Sequence, residues 1–421
     1  MDEVEVTIEK LVAGGDGLGR WEGVPLFVPR SAPGDRLRVA IVERRPDYGR
    51  GEIVEVLAPG PGRREPPCPF FVRCGGCDLQ HLEDRLQVEL KVAAAVETLA
   101  RIGGLELPVA PEVIAGEAWG YRLRAQLQVD PALPPAGAPP PAGAAGTAGT
   151  GGVDAAGLGP AVGYFARGSH ELVPVDRCPI LVPELEDLLP ALPRRLAEAA
   201  GIAGGPGRPP RRLDVAAGDG GALTVAPVVA GLPHGEVTVT AAGSTYGFDA
   251  RSFFQAHRGL LGRLVTVAMG PDEWTGATAY DLYCGVGLFT LPLARRYERV
   301  VGVEGDRVAV RYARRNARKN GRGNVEIEGM AVESWVREMP AGADRVLVDP
   351  PRSGLHPRVL EAVLEAVPAR ITYVSCHAAT LARDLRKLGS AYRVEHLALL
   401  DLFPQSGHLE AVVQLRRTSS V

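Results

Sequence analysis

From Val4 to Leu57 apolar and polar residues alternate in short runs, EVTIEKL, GVPLFVP, DRLRVAIVE and RGEIVEVL, separated by GGDGLG, RSAPGD and RPDYG. A period of two marks half-buried strands, and the Gly, Pro and Asp clusters mark turns. Repeated short strands at this spacing predict a small closed β-barrel over residues 1–59. PGPGRREPP then reads as a linker, and a helix is expected from about Glu83 to Ala100. From Thr245 the pattern changes. Strands AYDLYC, RVVGVEG, NVEIEGM, DRVLVDPP and ITYVSC alternate with helix-like stretches, which predicts a doubly wound α/β sheet over 245–421. Ligands of such sheets lie outside the carboxyl ends of the strands. Between barrel and sheet, 60–244 is expected to form a central α+β domain. It contains PALPPAGAPPPAGAAGTAGTGGVDAAGLGP, residues 131–160, with no periodicity and almost no charge. Such a stretch cannot bury enough apolar surface to offset the entropy of ordering, so a disordered insertion is expected. QLQVD before it and AVGYFA after it make it an insertion within a hairpin.

Composition adds constraints. The 421 residues are 46% apolar and 23% charged, enough for several packed cores at roughly 100–200 residues per domain. Lys+Arg 47 against Asp+Glu 50 leaves a net charge of -3, which excludes a whole-molecule basic field, so any nucleic-acid site must be local. The cations are nearly all Arg, with Lys only at Lys10, Lys91, Lys319 and Lys387. Arg favours planar, bidentate phosphate contacts. No long apolar run suggests a membrane span, and MDEVEVTIEK is acidic where a secretory signal would be basic. A cytoplasmic protein with no membrane partner is expected, its six cysteines kept as thiols.

The candidate chemistry lies at the strand ends. In DLYCGVGLFTLPLA a strand carrying Asp281 and Tyr283 ends in a turn with Gly285 and Gly287, and a helix begins. The glycines allow close backbone approach, and the helix start favours a carboxylate or phosphate. Glu304 ends the next strand about twenty residues on, where an acid can bind ribose hydroxyls. Asp349 precedes two prolines, which end its strand and hold the carboxylate at the cleft. In this order these ends read as a class I methyltransferase, Rossmann-like, binding S-adenosylmethionine (SAM). Cys376 ends another strand before a helix, where exposed N–H groups would favour its thiolate. Glu410 precedes the last strand, with His408 two residues upstream. Cys68, Cys74, Cys77 and Cys178 number what one tetrahedral site needs, and all-Cys ligation suits zinc or an iron–sulfur cluster. Spacing alone does not choose between them. Cys284 reads as a packing residue.

Two resemblances follow. GGDGLGRWEGVPLFVPRSAPGDRLRV closely resembles the TRAM domain, an OB-like RNA-binding barrel. Cys68-x5-Cys74-Gly-Gly-Cys77 with LQH, GYRLRAQL, Cys178, FFQ ending at Gln255, DLYCGVG, DPPR, SC…ATLARDL and HLEAVVQL is similar to the RNA uracil-5-methyltransferases over nearly the whole chain. The resemblance implies Cys376 as nucleophile and Glu410 as base. It implies Gln255, Tyr283, Glu304 and Asp349 as SAM-binding, with Gln255 and Asp349 also near the target base. It implies a [4Fe–4S] cluster on the four cysteines, with zinc as runner-up. Barrel, cysteines and catalytic part together are the arrangement of the rRNA members, so 23S rRNA is the implied partner, tRNA the alternative. An alternative of another class is a noncatalytic RNA-binding iron–sulfur protein, against which Cys376 and Glu410 both argue. No obligate protein partner is inferred, and a monomer is expected. The chain departs from the family at His257, His377, Ala378 and Gln405, which bears on base recognition. Arg122 and Arg124 are the better phosphate candidates, whereas the basic run 311–324 reads as a solvated helix face.

Overall fold

The computed structural model describes residues 2–104, 110–137, 159–201 and 209–418. Strands Glu3–Leu11, Gly17–Trp21, Val24–Val28, Arg36–Arg44 and Gly49–Ala58 close into a barrel. Its interior is the alternating set the sequence supplies, Val6, Ile8, Leu26, Val28, Leu37 and Val39. Asp35, fully buried, pins the barrel end by accepting from Ala32 N at 2.7 Å, Gly60 N at 2.8 Å and Arg63 Nη1 at 2.5 Å.

The helix Asp84–Gly103 matches expectation and packs against the helix Ala378–Leu388. A five-stranded antiparallel sheet follows, ordered Leu223–Ala226, Arg212–Ala217, Arg124–Asp130, Ala161–Phe165 and Leu172–Pro174. Arg124–Asp130 and Ala161–Phe165 pair directly, Asp130 opposite Ala161, so the proline- and glycine-rich stretch is an insertion in a hairpin. Residues 138–158, most of the segment expected to be disordered, lie outside the described residues.

The third sheet has eight strands. Val325–Glu328, Tyr297–Val303, Gly276–Leu282, Arg345–Val348 and Arg370–Ser375 run parallel, and Glu410–Arg417 then pairs antiparallel with Arg370–Ser375. Tyr392–Leu400 and Glu112–Ile114 complete it. All five parallel strands are those the apolar runs predict. Both faces are covered, which is why these runs are continuous rather than alternating. Val346 and Val348 pack into one core and Leu347 into the other. Among the described residues, Arg345 is buried with no carboxylate partner. Its guanidinium instead binds Met269 O at 2.7 Å and Thr372 Oγ1 at 3.1 Å, while Gln414 Nε2 binds Val267 O at 2.7 Å. These side chains satisfy the end carbonyls of the helix Leu261–Met269, which that helix cannot satisfy itself.

Candidate active site

The parallel strands end on one side of the sheet, and the sequence candidates gather there. Ser375 pairs with Ala411 at the end of the antiparallel strands, so Cys376 and Glu410, the next residue on each side, lie at the same sheet end, where the Glu410 charge acts on the thiol. Glu410 is 2% exposed and Cys376 is half-buried. Asp349 follows the strand Arg345–Val348, and Gln255 Nε2 donates to its Oδ2 at 3.4 Å. Asp349 also acts on both Cys376 and Glu410 through its charge. Cys376, Glu410, Asp349 and Gln255 therefore form one group.

Tyr283, Glu304 and Asp281 shape the adjoining turn. Tyr283 has a left-handed backbone, φ 66°, and donates its hydroxyl to Glu333 Oε1 at 3.2 Å. Glu304 does not project freely: Oε2 accepts from Gly285 N at 2.9 Å and Oε1 from Asp306 N at 2.7 Å. Asp281 is fully buried, accepts from Thr290 Oγ1 at 2.5 Å, and leaves Oδ1 without a partner among the described residues. Gly285 and Gly287 take φ 55° and 95°, and a Cβ on Gly285 would meet nothing within 4 Å. The turn thus leaves open space beside buried carboxylates, which fits a ligand carrying positive charge.

Burial dominates the electrostatics. It raises Glu410 and Asp349 above the usual carboxylate range, Asp349 adding to the effect on Glu410 and Arg352 opposing it. Burial raises Asp281 to about 7. Cys376 is pushed up to about 11, first by burial and then by the Glu410 carboxylate, with Arg352 opposing. This corrects the expectation that the helix start alone would favour the thiolate: desolvation and two acidic neighbours outweigh the exposed N–H groups.

Cys68, Cys74, Cys77 and Cys178 line a single cavity, together with Arg122, Tyr164, Arg352 and His408. Burial raises all four thiols, Cys178 to about 11. Among the described residues, no three His, Cys, Asp or Glu side chains are drawn together closely enough to hold a single metal ion. Arg122 turns into this cavity and Arg124 lies over the Phe253 ring, 5.3 Å from its centroid. Arg315 and Lys319 pair with Glu236 at 2.8 and 2.7 Å, as a solvated basic face does.

A family model described as tRNA (Uracil-5-)-methyltransferase matches residues 234–418, and a TRAM domain model matches 2–54. The 23S rRNA (uracil(1939)-C(5))-methyltransferase RlmD of Pectobacterium atrosepticum is 35% identical, over 97% of this chain and 92% of that one. The protein of the same description from Klebsiella pneumoniae is 33% identical over 98% and 96%. The chain belongs to the RNA uracil-5-methyltransferase family. The crystal structure of Pyrococcus abyssi tRNA (uracil-54, C5)-methyltransferase in complex with S-adenosyl-L-homocysteine superimposes with a TM-score of 0.71 at 25% identity, covering 98% of this chain and 100% of that one. The protein is accordingly a SAM-dependent RNA (uracil-C5)-methyltransferase with an OB-like TRAM barrel ahead of its catalytic sheet. No helix among the described residues is long and apolar enough to cross a membrane.

In this RNA uracil-5-methyltransferase three of the residues that depart from the family motifs, His377, His257 and Gln405, have structural roles. His377 caps the helix Ala378–Leu388, accepting from Thr380 N at 3.3 Å. His257 is buried, stacks on Tyr121 at 4.7 Å and contacts Glu117 O at 3.1 Å. Gln405 accepts from Gln87 Nε2 at 2.9 Å and donates to Asp84 Oδ1 at 2.8 Å, tying the loop before Glu410 to the helix Asp84–Gly103. Gly407 in that loop has no room for a side chain, since a Cβ would sit 2.3 Å from the Gly14 carbonyl of the barrel. Sequence reasoning missed Arg352 and Lys91, which line the Cys376 cavity with that barrel loop. Arg352 stood inside the quoted DPPR motif, and Lys91 was one of only four lysines.

Proposed function

We propose that this enzyme methylates C5 of one specific uridine in 23S rRNA through a covalent adduct between Cys376 and C6 of the base. The observation that supports the mechanism is that Cys376 and Glu410 flank the last pair, Ser375 with Ala411, at one sheet end, with the Glu410 and Asp349 charges both acting on the thiol. C5 of uracil is too weak a nucleophile to take a methyl group directly, and a thiolate adding to C6 supplies the missing electron density. Bound SAM supplies the methyl group. Cys376 attacks C6, the C5=C6 pair becomes an enolate, and C5 takes up the methyl. Glu410 then removes the C5 proton, and the electron pair reforms the double bond as sulfur leaves. Burial makes the ionised form of Glu410 a stronger base for this step while reducing the fraction that is ionised. Gln255 orients Asp349 toward the base and cofactor, while Tyr283 and Glu304 shape the SAM turn. The target uridine must leave its stack to reach the thiol.

The rRNA substrate is favoured by the relatives named for 23S rRNA, which match this chain from the barrel to the last strand. The parts are read as 1–59 for RNA binding, 60–244 for the cysteine-bearing centre and 245–421 for methyl transfer. A cavity walled by four thiols suits a thiophilic group, a [4Fe–4S] cluster with zinc as the runner-up. Cys68, Cys74, Cys77 and Cys178 would hold it, in a structural role. Mapping 5-methyluridine in rRNA and tRNA from cells with and without the gene tests the substrate. Loss of one 23S rRNA site is expected. Loss from tRNA alone would transfer the activity there.

A further inference from the structure

Arg352 stands on an exposed turn, yet with His408 it lines both the Cys376 cavity and the neighbouring cavity of the four cysteines. Its Nη2 lies 3.1 Å from His408 Nε2. A guanidinium has only donors, so this ring nitrogen must accept, which fixes His408 as the neutral tautomer with its proton on Nδ1. The surroundings favour that state. Burial, and then Arg352, lower His408 to about 4, with Lys91 and His377 acting in the same direction and Asp78 against them. The turn is held at a second point, where the Arg352 carbonyl accepts from Thr380 Oγ1 at 3.1 Å in the helix that follows Cys376. The charged groups facing Cys376 are Glu410, Asp349 and this guanidinium.

We propose that Arg352 and His408 act as a pair in methyl transfer. Arg352 is a catalytic residue whose positive charge lowers the cost of ionising Cys376 for the attack, and His408 is a positioning residue that accepts an N–H to keep the guanidinium there. The inference rests on Cys376 being the nucleophile. In the step concerned the thiol has given its proton to solvent, a sulfur lone pair forms the S–C6 bond, and the C5=C6 pair moves into the enolate. Without the guanidinium, two carboxylates would face the sulfur uncompensated. An arginine held by a protonated imidazole would be repelled, so the neutral state of His408 is part of the device.

The experiment is the pH profile of Cys376 alkylation by iodoacetamide in the full chain, read on the Cys376 peptide by mass spectrometry so that the other cysteines do not contribute. Arg352→Gln should move the midpoint upward by about one unit, a roughly tenfold slower reaction at fixed pH below it. Arg352→Lys should fall between the two, since it keeps charge but loses the fork geometry. His408→Leu should shift the midpoint in the same direction, and His408→Gln, whose carbonyl can accept, should restore most of the loss. SAM binding by calorimetry reports that each variant is folded. An unshifted profile in Arg352→Gln and Arg352→Lys with SAM binding intact would overturn the proposal, as would equal losses in both His408 variants. Methylation by Cys376→Ser would instead remove the nucleophile reading itself, whereas an inactive Cys376→Ser beside an unshifted Arg352→Gln profile removes only the pair.

Discussion

Lys91 Nζ lies 2.5 Å from Asp401 Oδ1, a buried ion pair between residues 310 positions apart. The lysine also donates to Phe403 O at 3.3 Å. Lys91 sits on the helix Asp84–Gly103, and Asp401 opens the loop that leads to Glu410. Two further bonds run parallel to it, since Gln87 exchanges hydrogen bonds of 2.9 and 3.0 Å with Gln405 in the same loop. A helix from the first quarter of the chain thereby fixes the approach to Glu410, and it does so with polar groups on a face that packing alone would fill with apolar ones.

Removing one partner of such a pair strands the other charge away from water. Lys91→Met should destabilise the protein by about 3–5 kcal/mol, while the double replacement Lys91→Met with Asp401→Leu should cost much less, because no uncompensated charge remains. Urea unfolding of the three proteins checks this. A double variant as unstable as the single one would show that the pair contributes more than its own neutralisation.

The same pair shows where the sequence stops being legible. The five parallel strands and the barrel follow from apolar periodicity, because each must bury a face whatever its neighbours are. Glu112–Ile114 could not be found this way: three residues carry no period, and they pair only because Tyr392–Leu400 offers an edge. Cys376, Glu410 and Asp349 were legible because strand ends are predictable places. Arg352, Lys91 and Gln405 were not, since each acquires its role from a partner far away in sequence. The ionisation of Cys376 is illegible in the sequence for a related reason. Its helix start is local and visible, but the opposing Glu410 and Asp349 carboxylates arrive only with the folded sheet.

Cys376→Ser should abolish methylation, since a hydroxyl supplies almost no anion at neutral pH. SAM binding should survive, because the open turn of Tyr283 to Gly287 lies on a different strand. A methyl-transfer assay beside calorimetry separates the two. Near-normal turnover would take Cys376 out of the mechanism.

Glu410→Gln should divide the reaction, because proton removal follows methyl transfer and only the later half needs a base. A covalent RNA–protein species should accumulate, visible with labelled RNA on a denaturing gel. Rapid release of product with no such species would assign the base elsewhere.

The buried carboxyls make the cofactor site sensitive to pH. Asp281 is raised to about 7, and Glu410 and Asp349 are raised as well, so between the ordinary carboxyl range and about 7 the folded chain binds more protons than the unfolded one. Stability of the free protein should therefore fall as pH rises through that window. A cation in the site favours the ionised carboxylates and releases those protons. SAM affinity should rise from about pH 5 to about pH 8, and S-adenosylhomocysteine, which lacks the sulfonium charge, should show a flatter dependence. Equal slopes by calorimetry would mean that the carboxylates do not face the sulfonium.

The cysteine cavity gives the most exposed prediction, because its thiols come from two loops about a hundred residues apart. Phe165 O accepts from Gly75 N at 2.9 Å, and Arg30 of the barrel donates to Cys74 O at 3.0 Å, so the loop from Cys68 to Cys77 is braced from both sides. Cys178 reaches the same cavity from beyond the hairpin and receives the Tyr164 hydroxyl at 3.8 Å. Protein purified without oxygen should be brown, with about four iron and four sulfide per chain, as a cubane requires. Cys178→Ser should lose the colour while the barrel, which has its own core, and the face of the catalytic sheet that buries Val346 and Val348 stay folded. Colourless protein carrying one zinc would replace the cluster by a single ion and leave the methyltransferase assignment untouched, because none of Cys376, Glu410, Asp349 and Gln255 lines that cavity.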